Sequence, residues 1–225
     1  MSVRAIRAPF RSLFISDLHL GSHNCRGERL YRFLCTHEAA TIYLVGDIVE
    51  MSVLTKWPPY HADCIRELVQ KTMRGTKVVY IPGNHDKIFR SHLGTYGNLM
   101  IETEALHIRK NEQPMLVIHG DINDRLKSNW LLQMLTKIDH IGKMNLWEIL
   151  RRRFGWLIGR HTVAFESSMI LLAKDRGYSG IVCGHVHAPK IITIDGIYYL
   201  NCGDWTHHCT AIAEDEYGNF TMLRG

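Results

Sequence analysis

The stretch KVVYIPGNHD, residues 77–86, places a short apolar run directly before Pro82 and Gly83. The apolar run predicts a buried strand, and the Pro-Gly pair marks the point where that strand ends. Asn84, His85 and Asp86 follow at once, and these residue types are common both in turns and in metal sites. The stretch alone leaves two interpretations open: a polar turn, or one corner of an active site.

Four other apolar runs of the chain also end in polar side chains that can bind metals. They are SLFIS before Asp17 and His19, TIYLV before Asp47, PMLVI before His119, and GIVC before His185 and His187. Taken singly, each residue could be a helix cap, a turn residue or a solvated loop histidine. Together they favour one site, because ligands gather beyond the carboxyl ends of strands in α/β proteins. Adding Asn84 gives seven oxygen and nitrogen ligands, a set that suits two ions of Mn²⁺, Fe or Zn²⁺.

The order of the remaining patterns predicts the fold class. Helices are expected over residues 26–39, 61–74, 125–158 and 161–176, a hairpin over 190–201, and two last strands within 209–224. Helices that alternate with strands early and hairpins that follow late predict an α/β sandwich of mixed sheets with helices outside. No repeat or linker interrupts the pattern, so a single domain over 1–225 is expected, with a helical insertion at 125–158.

Composition is typical of a soluble globular chain, with 46% hydrophobic and 22% charged residues among 225. No stretch reaches the ~20 apolar residues of a membrane-spanning helix, and the N-terminus has no signal-peptide pattern. The six cysteines are irregularly spaced, which favours reduced thiols and a cytoplasmic location. The net charge is +5, and residues 125–160 alone hold eight basic and two acidic residues, as a site for an anionic partner would.

A family resemblance rests on five short motifs in chain order. They are DLH (17–19), GDIVE (46–50), GNHD (83–86), HGD (119–121) and GHVH (184–187), and they resemble the signature of the calcineurin-like metallophosphoesterases. Within that superfamily, SDLHLGS, VIHGD, CGHVHAPKI and the tail IDGIYYLNCGDW resemble the UDP-2,3-diacylglucosamine pyrophosphate hydrolases and their close relatives. The resemblance implies two mixed β-sheets flanked by helices, a helical cap, and two divalent metal ions. Manganese is the favoured metal, with Fe or Zn²⁺ as alternatives.

The resemblance also implies a role for each site residue. One metal would be held by Asp17, His19, Asp47 and His187, and the other by Asp47, Asn84, His119 and His185. A hydroxide that bridges the two ions would attack phosphorus. His85 would act as the general acid, oriented by Glu50, with Asp86 as the alternative orienting residue. The best-known hydrolases of this group carry Arg where this chain has His85, so the reaction class carries over better than the substrate.

The insertion at residues 125–158 bears on the substrate. It combines amphipathic helical spacing with basic residues and tryptophan, which is typical of a helix at a membrane interface. Arg125, Trp130 and Arg152 are therefore predicted to bind substrate. Plain packing on the core is the alternative. Nucleic-acid binding is disfavoured, because the aromatic residues lie among aliphatic ones and form no evident stacking platform.

Together with the resemblance, these patterns predict an enzyme; the resemblance implies a hydrolase for the pyrophosphate bond of UDP-2,3-diacylglucosamine or a similar nucleotide-linked glycolipid. Such an activity belongs to lipid A biosynthesis and would act peripherally at the inner face of the cell membrane. The alternative is a general metallophosphoesterase that acts on a soluble phosphomonoester, phosphodiester or nucleotide. A non-catalytic scaffold is disfavoured because all seven ligand positions and His85 are present.

Overall fold

The computed structural model describes residues 10–51, 57–122 and 146–225, with backbone alone at 146–158 and 160. Strands β1 to β12 of this part are Phe10–Ile15, Ala39–Val45, Lys77–Ile81, Gly94–Tyr96, Leu99–Ile101, Ala105–Ile108, Pro114–Val117, Gly180–Cys183, Lys190–Ile194, Ile197–Asn201, Thr210–Glu214 and Phe220–Arg224. Helices α1, α2 and α3 are Gly27–Thr36, Pro59–Met73 and Leu146–Asp175, and a 3-10 turn covers Lys87–Ser91.

The described strands form two mixed sheets. The larger has the order β12-β11-β1-β2-β3-β5-β4, and the smaller has the order β6-β7-β8-β10-β9. Strands β1, β2, β3 and β5 run parallel, whereas β11 pairs antiparallel with β1. In the smaller sheet β7, β8 and β10 run parallel. The predicted α/β sandwich of two mixed sheets is therefore confirmed.

The core lies in three layers that follow from strand alternation. Phe14 of β1 points between the two sheets, into a cluster with apolar residues of both, such as Val79 of the larger sheet and Val117 of the smaller. Its neighbours Leu13 and Ile15 point the other way, into the cluster that α1 and α2 cover. Helix α3 covers the outer face of the smaller sheet through buried residues that include Phe165, Met169 and Ala173. The central strands are apolar on both faces because both faces are buried.

Helix α3 differs from the prediction. Two helices, 125–158 and 161–176, were expected, but residues 146–175 form one continuous helix. Gly159 lies inside it, and a glycine within a helix costs only about 1 kcal/mol against alanine, so it need not end the helix. Residues 123–145 lie outside the described part, and the assignment of 125–158 as a cap insertion within a single domain stays a prediction. None of the described helices has the length and apolar character needed to cross a membrane.

Candidate metal centre

The loops that follow β1, β2, β7 and β8 meet at one edge of the sandwich and are joined by backbone hydrogen bonds. The Asp17 N–H donates to the Gly46 carbonyl at 3.0 Å, which ties the first loop to the second. The Gly184 N–H donates to the His119 carbonyl at 3.1 Å, which ties the two loops of the smaller sheet together. The side chains of these loops are thereby brought into one cluster.

The first group in this cluster consists of Asp17, His19 and His187, whose ligand atoms all lie within 4.8 Å of one another. His187 Nε2 lies 3.1 Å from Asp17 Oδ1 and 3.4 Å from His19 Nε2. Asp17 Oδ2 accepts a hydrogen bond from the His185 N–H at 3.0 Å. Asp17 Oδ1 is buried and has no partner of hydrogen-bonding geometry among the described residues.

The second group consists of Asp47, His119 and His185, again within 4.8 Å. His119 Nδ1 lies 3.0 Å from the Val45 carbonyl, an acceptor, so this nitrogen carries the proton and donates it. The other ring nitrogen, Nε2, faces the cluster at 3.2 Å from Asp47 Oδ2 and 3.3 Å from Asn84 Oδ1. A third group, His19, Asp47 and His85, overlaps both others and makes the cluster continuous.

The donor set fits divalent cations. Its atoms are carboxylate oxygens and imidazole nitrogens, the ligands that Mn²⁺, Fe and Zn²⁺ take, and no thiolate joins the three groups. Two imidazole nitrogens face each other at 3.4 Å, and a buried carboxylate oxygen lies 3.1 Å from one of them; a cation would satisfy this arrangement. Asp47 and His19 each belong to two groups, so a second ion would share ligands with the first.

The backbone of the cluster is strained at the predicted ligands. Eight non-glycine residues of the described part have positive φ, and five of these are Asp17, His19, Asp47, His185 and His187. Such conformations cost of order 1–3 kcal/mol each and gather at functional sites. Two glycines are also required by close approach, because a Cβ at Gly83 would collide with the Asp47 carboxylate and one at Gly184 with that of Asp17.

The carboxylates and the histidines of the two groups shift each other's pKa values. Burial alone would raise the pKa of the Asp47 carboxyl group, yet His119 and other histidines lower it well below its usual value. Burial would lower the pKa of the His119 and His187 rings. Instead, Asp47 raises the pKa of His119 to about 10, and Asp17 raises that of His187 to about 9. Without a cation these histidines hold protons, so metal binding would release them.

His85 belongs to the third group and is oriented by a buried carboxylate. Glu50 Oε2 lies 2.7 Å from His85 Nδ1 and 3.2 Å from His19 Nδ1, and the Glu50 side chain is fully buried. The His85 backbone N–H donates to Asp47 Oδ1 at 2.9 Å, and 20% of the His85 side chain stays exposed. Burial lowers the pKa of His85, but the hydrogen bond to Glu50 and the charge of Asp47 raise it above its ordinary value.

Asp86, the alternative partner of His85, has a different set of contacts. Its Oδ2 accepts hydrogen bonds from the Tyr80 hydroxyl at 2.5 Å and the Ile48 N–H at 2.7 Å, and its Oδ1 accepts from the Gly83 N–H. Asp86 thus braces the turn that presents Asn84 and His85. Glu50 contacts the His85 ring directly, as the first of the two predictions required.

The three predicted substrate-binding residues stay a prediction, because the structure does not describe their side chains. Arg125 and Trp130 lie outside the described residues, and Arg152 belongs to α3 at a position where only the backbone is described. The sequence analysis missed the contact between Arg90 and Asp121. Arg90 follows His85 by five residues, and Asp121 follows His119 by two. No periodic pattern could have revealed the contact, since Arg90 and Asp121 are 31 positions apart.

Residues 10–189 match the sequence profile of the family described as Calcineurin-like phosphoesterase. The UDP-2,3-diacylglucosamine hydrolase of Xanthomonas campestris pv. campestris is 30% identical over 115 residues, which cover 49% of this chain and 47% of that protein. The chain thus spans about half the length of such curated relatives. The enzyme of the same name from Azotobacter vinelandii is 24% identical over 92% of this chain and 95% of its own. A solved phosphoesterase from E. coli aligns with a TM-score of 0.49 at 15% identity, over 94% of this chain and 97% of its own.

Proposed function

The chain belongs to the calcineurin-like phosphoesterase family, and on that premise we propose that it hydrolyses the pyrophosphate bond of UDP-2,3-diacylglucosamine or a similar nucleotide-linked glycolipid. One observation carries the hydrolytic part of the proposal: carboxylates and imidazoles form overlapping groups, and the buried Glu50 contacts the partly exposed His85 of one of these groups. The names of the relatives support the choice of substrate. The cationic stretch 125–160 supports action on an acylated substrate at the inner face of the membrane.

Two divalent cations, with Mn²⁺ preferred, are part of the proposal. Asp17, His19, Asp47 and His187 would hold the first, and Asp47, Asn84, His119 and His185 the second. The shared position of Asp47 between two of the groups supports it as the bridging ligand. When bound, the cations would lower the pKa of water at the site and offset the negative charge of the phosphoryl oxygens.

His85 is the proposed general acid. Its Nδ1 donates to Glu50, whose negative charge favours the imidazolium form. In that form Nε2 carries the proton that goes to the leaving oxygen as the bond from phosphorus to that oxygen breaks, and the neutral ring that remains is protonated on Nδ1. Glu50 keeps the imidazole in this tautomer and orientation, as the carboxylate of a catalytic triad does for its histidine. The partial exposure of His85 leaves the ring open to a substrate.

A general phosphoesterase activity on soluble substrates is the second candidate, and His85 itself favours it. The phosphate that leaves from a pyrophosphate is a weak base and needs little help from an acid. The alkoxide that leaves from an ordinary phosphoester is a strong base, and a histidine that can donate a proton is more useful to such a substrate.

Release of UMP tests the two candidates. The purified chain is supplied with Mn²⁺ and either UDP-2,3-diacylglucosamine in detergent micelles, its unacylated counterpart, or a chromogenic phosphodiester. We expect manganese-stimulated release of UMP from the acylated substrate and much slower turnover of the other two. Fast turnover of the phosphodiester with none of the glycolipid would replace the first candidate by the second. Inactivity toward every substrate, together with no bound transition metal, would refute both.

A further inference from the structure

We propose that Arg90 is a positioning residue that holds the loop of Asn84 and His85 against the loop of His119, and thereby sets the affinity of the second metal group. The inference rests on the metal assignment of the proposed function and adds a residue outside the proposed ligand set. The clamp it describes is built from one side chain and two partners, Pro82 and Asp121.

The contacts of Arg90 define the clamp. Its Nε and Nη2 donate to the Pro82 carbonyl at 3.2 and 2.8 Å. The same Nη2 lies 2.9 and 2.8 Å from the two carboxylate oxygens of Asp121. Pro82 precedes Asn84 by two residues, and Asp121 follows His119 by two residues. One guanidinium group therefore joins the chain just before one ligand to the chain just after another.

The two loops need such a tie because they come from different sheets. Asn84 follows β3 of the larger sheet, whereas His119 follows β7 of the smaller one. Strand β3 pairs with β2 and β5, and β7 belongs to the other sheet. Their ligand atoms nevertheless lie close together, with Asn84 Oδ1 3.3 Å from His119 Nε2. Metal affinity depends on this spacing, because a cation tolerates only small errors in ligand position.

Arginine suits this task better than lysine would. Its planar group presents several N–H donors at fixed angles, so it can bind a carbonyl and a carboxylate at once without rearrangement. The Asp121 side chain is 11% exposed and that of Arg90 is 37% exposed, so solvent screens this pair less than an ordinary surface pair. The positive charge of Arg90 also balances Asp121, which lies near His119.

A surface ion pair elsewhere in the chain provides the matched control. Arg176 Nη1 lies 2.8 Å from Glu104 Oε2, the same separation as in the clamp, with side-chain exposures of 39% and 43%. It connects the end of α3 to the turn before β6 and contacts neither ligand loop. Arg176→Gln therefore removes an arginine ion pair of equal length without touching the proposed clamp.

The experiment titrates Mn²⁺ into metal-free protein by calorimetry and compares the wild type with Arg90→Gln, Asp121→Asn, the double variant and Arg176→Gln. We expect Arg90→Gln to lower the affinity for the second ion by about 10- to 100-fold, the usual effect of removing an outer-shell partner. Arg176→Gln should stay within about twofold of the wild type. The double variant should lose little more than Arg90→Gln alone, because both single changes break the same contact.

Electron paramagnetic resonance supplies a readout that is independent of activity. At a manganese concentration that fills both sites of the wild type, the spin-coupled pair should give way to a single uncoupled ion in Arg90→Gln. An affinity and a coupled signal equal to those of the wild type would overturn the clamp. So would a raised KM with unchanged metal affinity, which would make Arg90 a substrate contact. If Arg90→Gln does not fold, Asp121→Asn decides alone, because it keeps both the arginine and the side-chain volume. A wild type that binds no manganese would instead refute the proposed function, and the clamp with it.

Discussion

Replacement of Glu50 by glutamine tests the proposed roles of two histidines at once. The Glu50 side chain is fully buried, and its Oε2 contacts His85 Nδ1 at 2.7 Å and His19 Nδ1 at 3.2 Å. Glutamine has nearly the same shape but is neutral, and its amide has a single oxygen acceptor. Both ring nitrogens contact the same oxygen of Glu50. Glutamine either places its neutral amide oxygen there, which weakens both charge-assisted hydrogen bonds, or places its NH₂ group there, which cannot accept from a ring N–H.

The size of the effect follows from these contacts. A hydrogen bond to a charged group contributes about 1.5–3 kcal/mol. Loss of one such bond to the general acid should lower kcat about 10- to 150-fold, since about 1.4 kcal/mol corresponds to a factor of ten. The variant also loses the charge that raises the pKa of His85. The protonated acid would therefore disappear at lower pH, and the alkaline limb of the kcat profile should move toward lower pH. Loosening of His19 should weaken metal binding about tenfold or more.

The assay measures initial rates at saturating Mn²⁺ from neutral to alkaline pH, so that weaker metal binding does not distort kcat. Glu67→Gln is the control, because Glu67 is another buried glutamate whose partners, Arg74 and Lys71, lie on or next to α2. It should leave kcat and the pH profile unchanged. A wild-type kcat and an unmoved alkaline limb in Glu50→Gln would refute the claim that Glu50 orients His85.

Four further outcomes are expected. His85→Ala should keep its metal and lower kcat by ~10²–10⁴, the usual contribution of a positioned acid, whereas loss of metal on elemental analysis would make His85 a ligand. Asp47→Ala should abolish activity and lower the metal content at both sites, because Asp47 belongs to two ligand groups; retention of two tightly bound ions would contradict this. Removal of the metal with a chelator should lower the midpoint of thermal unfolding by roughly 5–10 °C. A cation at 100 times its Kd adds about 2.7 kcal/mol to the free energy of unfolding, and the chain length sets how far this moves the midpoint. Equal midpoints with and without chelator would count against a bound metal. Glu214→Gln should lower the free energy of unfolding at neutral pH by about 1–3 kcal/mol, because Glu214 is buried with His107 at 3.0 Å. Burial would raise the pKa of Glu214, but the hydrogen bond with His107 and nearby positively charged side chains lower it below 4.5. The contribution of Glu214 is therefore lost as pH falls through that lowered pKa, and denaturant unfolding should give a smaller difference between the two proteins in acid. A difference that does not change with pH would disprove this linkage.

Strands were predicted well where turn residues limit an apolar run on both sides. Strand β3 begins after Gly75-Thr76 and ends before Pro82, and its bounds Lys77–Ile81 are those read from the sequence. The hairpin of β9 and β10 was predicted from its Asp195-Gly196 pair. In the structure both residues adopt positive φ, at 50° and 79°, as a two-residue turn of this kind requires. In both cases local chemistry is sufficient, so the sequence alone carries the information.

Prediction failed where tertiary contacts decide. The short strands β4, β5 and β6 have three or four residues each, too few for a periodic signal, and they exist because neighbouring strands pair with them. The break expected between residues 158 and 161 does not occur, because packing of Phe165 and Met169 on the smaller sheet supports the last part of α3. The contact of Arg90 with Asp121 likewise depends on how two sheets face each other.

The strained loops explain why the residue types at the site could be predicted from the sequence, whereas the backbone conformation of these residues could not. Asp and His seldom adopt positive φ, so local rules would assign such positions to glycine. Five strained residues at predicted ligand positions, at ~1–3 kcal/mol each, amount to a cost comparable with the whole stability of a typical domain. That cost is offset by contacts between loops, such as the Asp17 N–H to the Gly46 carbonyl and the His19 N–H to the Asp47 carbonyl. Glycine at these positions would relieve the strain but would remove the ligand atom, so the retained side chains point to chemistry as the reason for the strain.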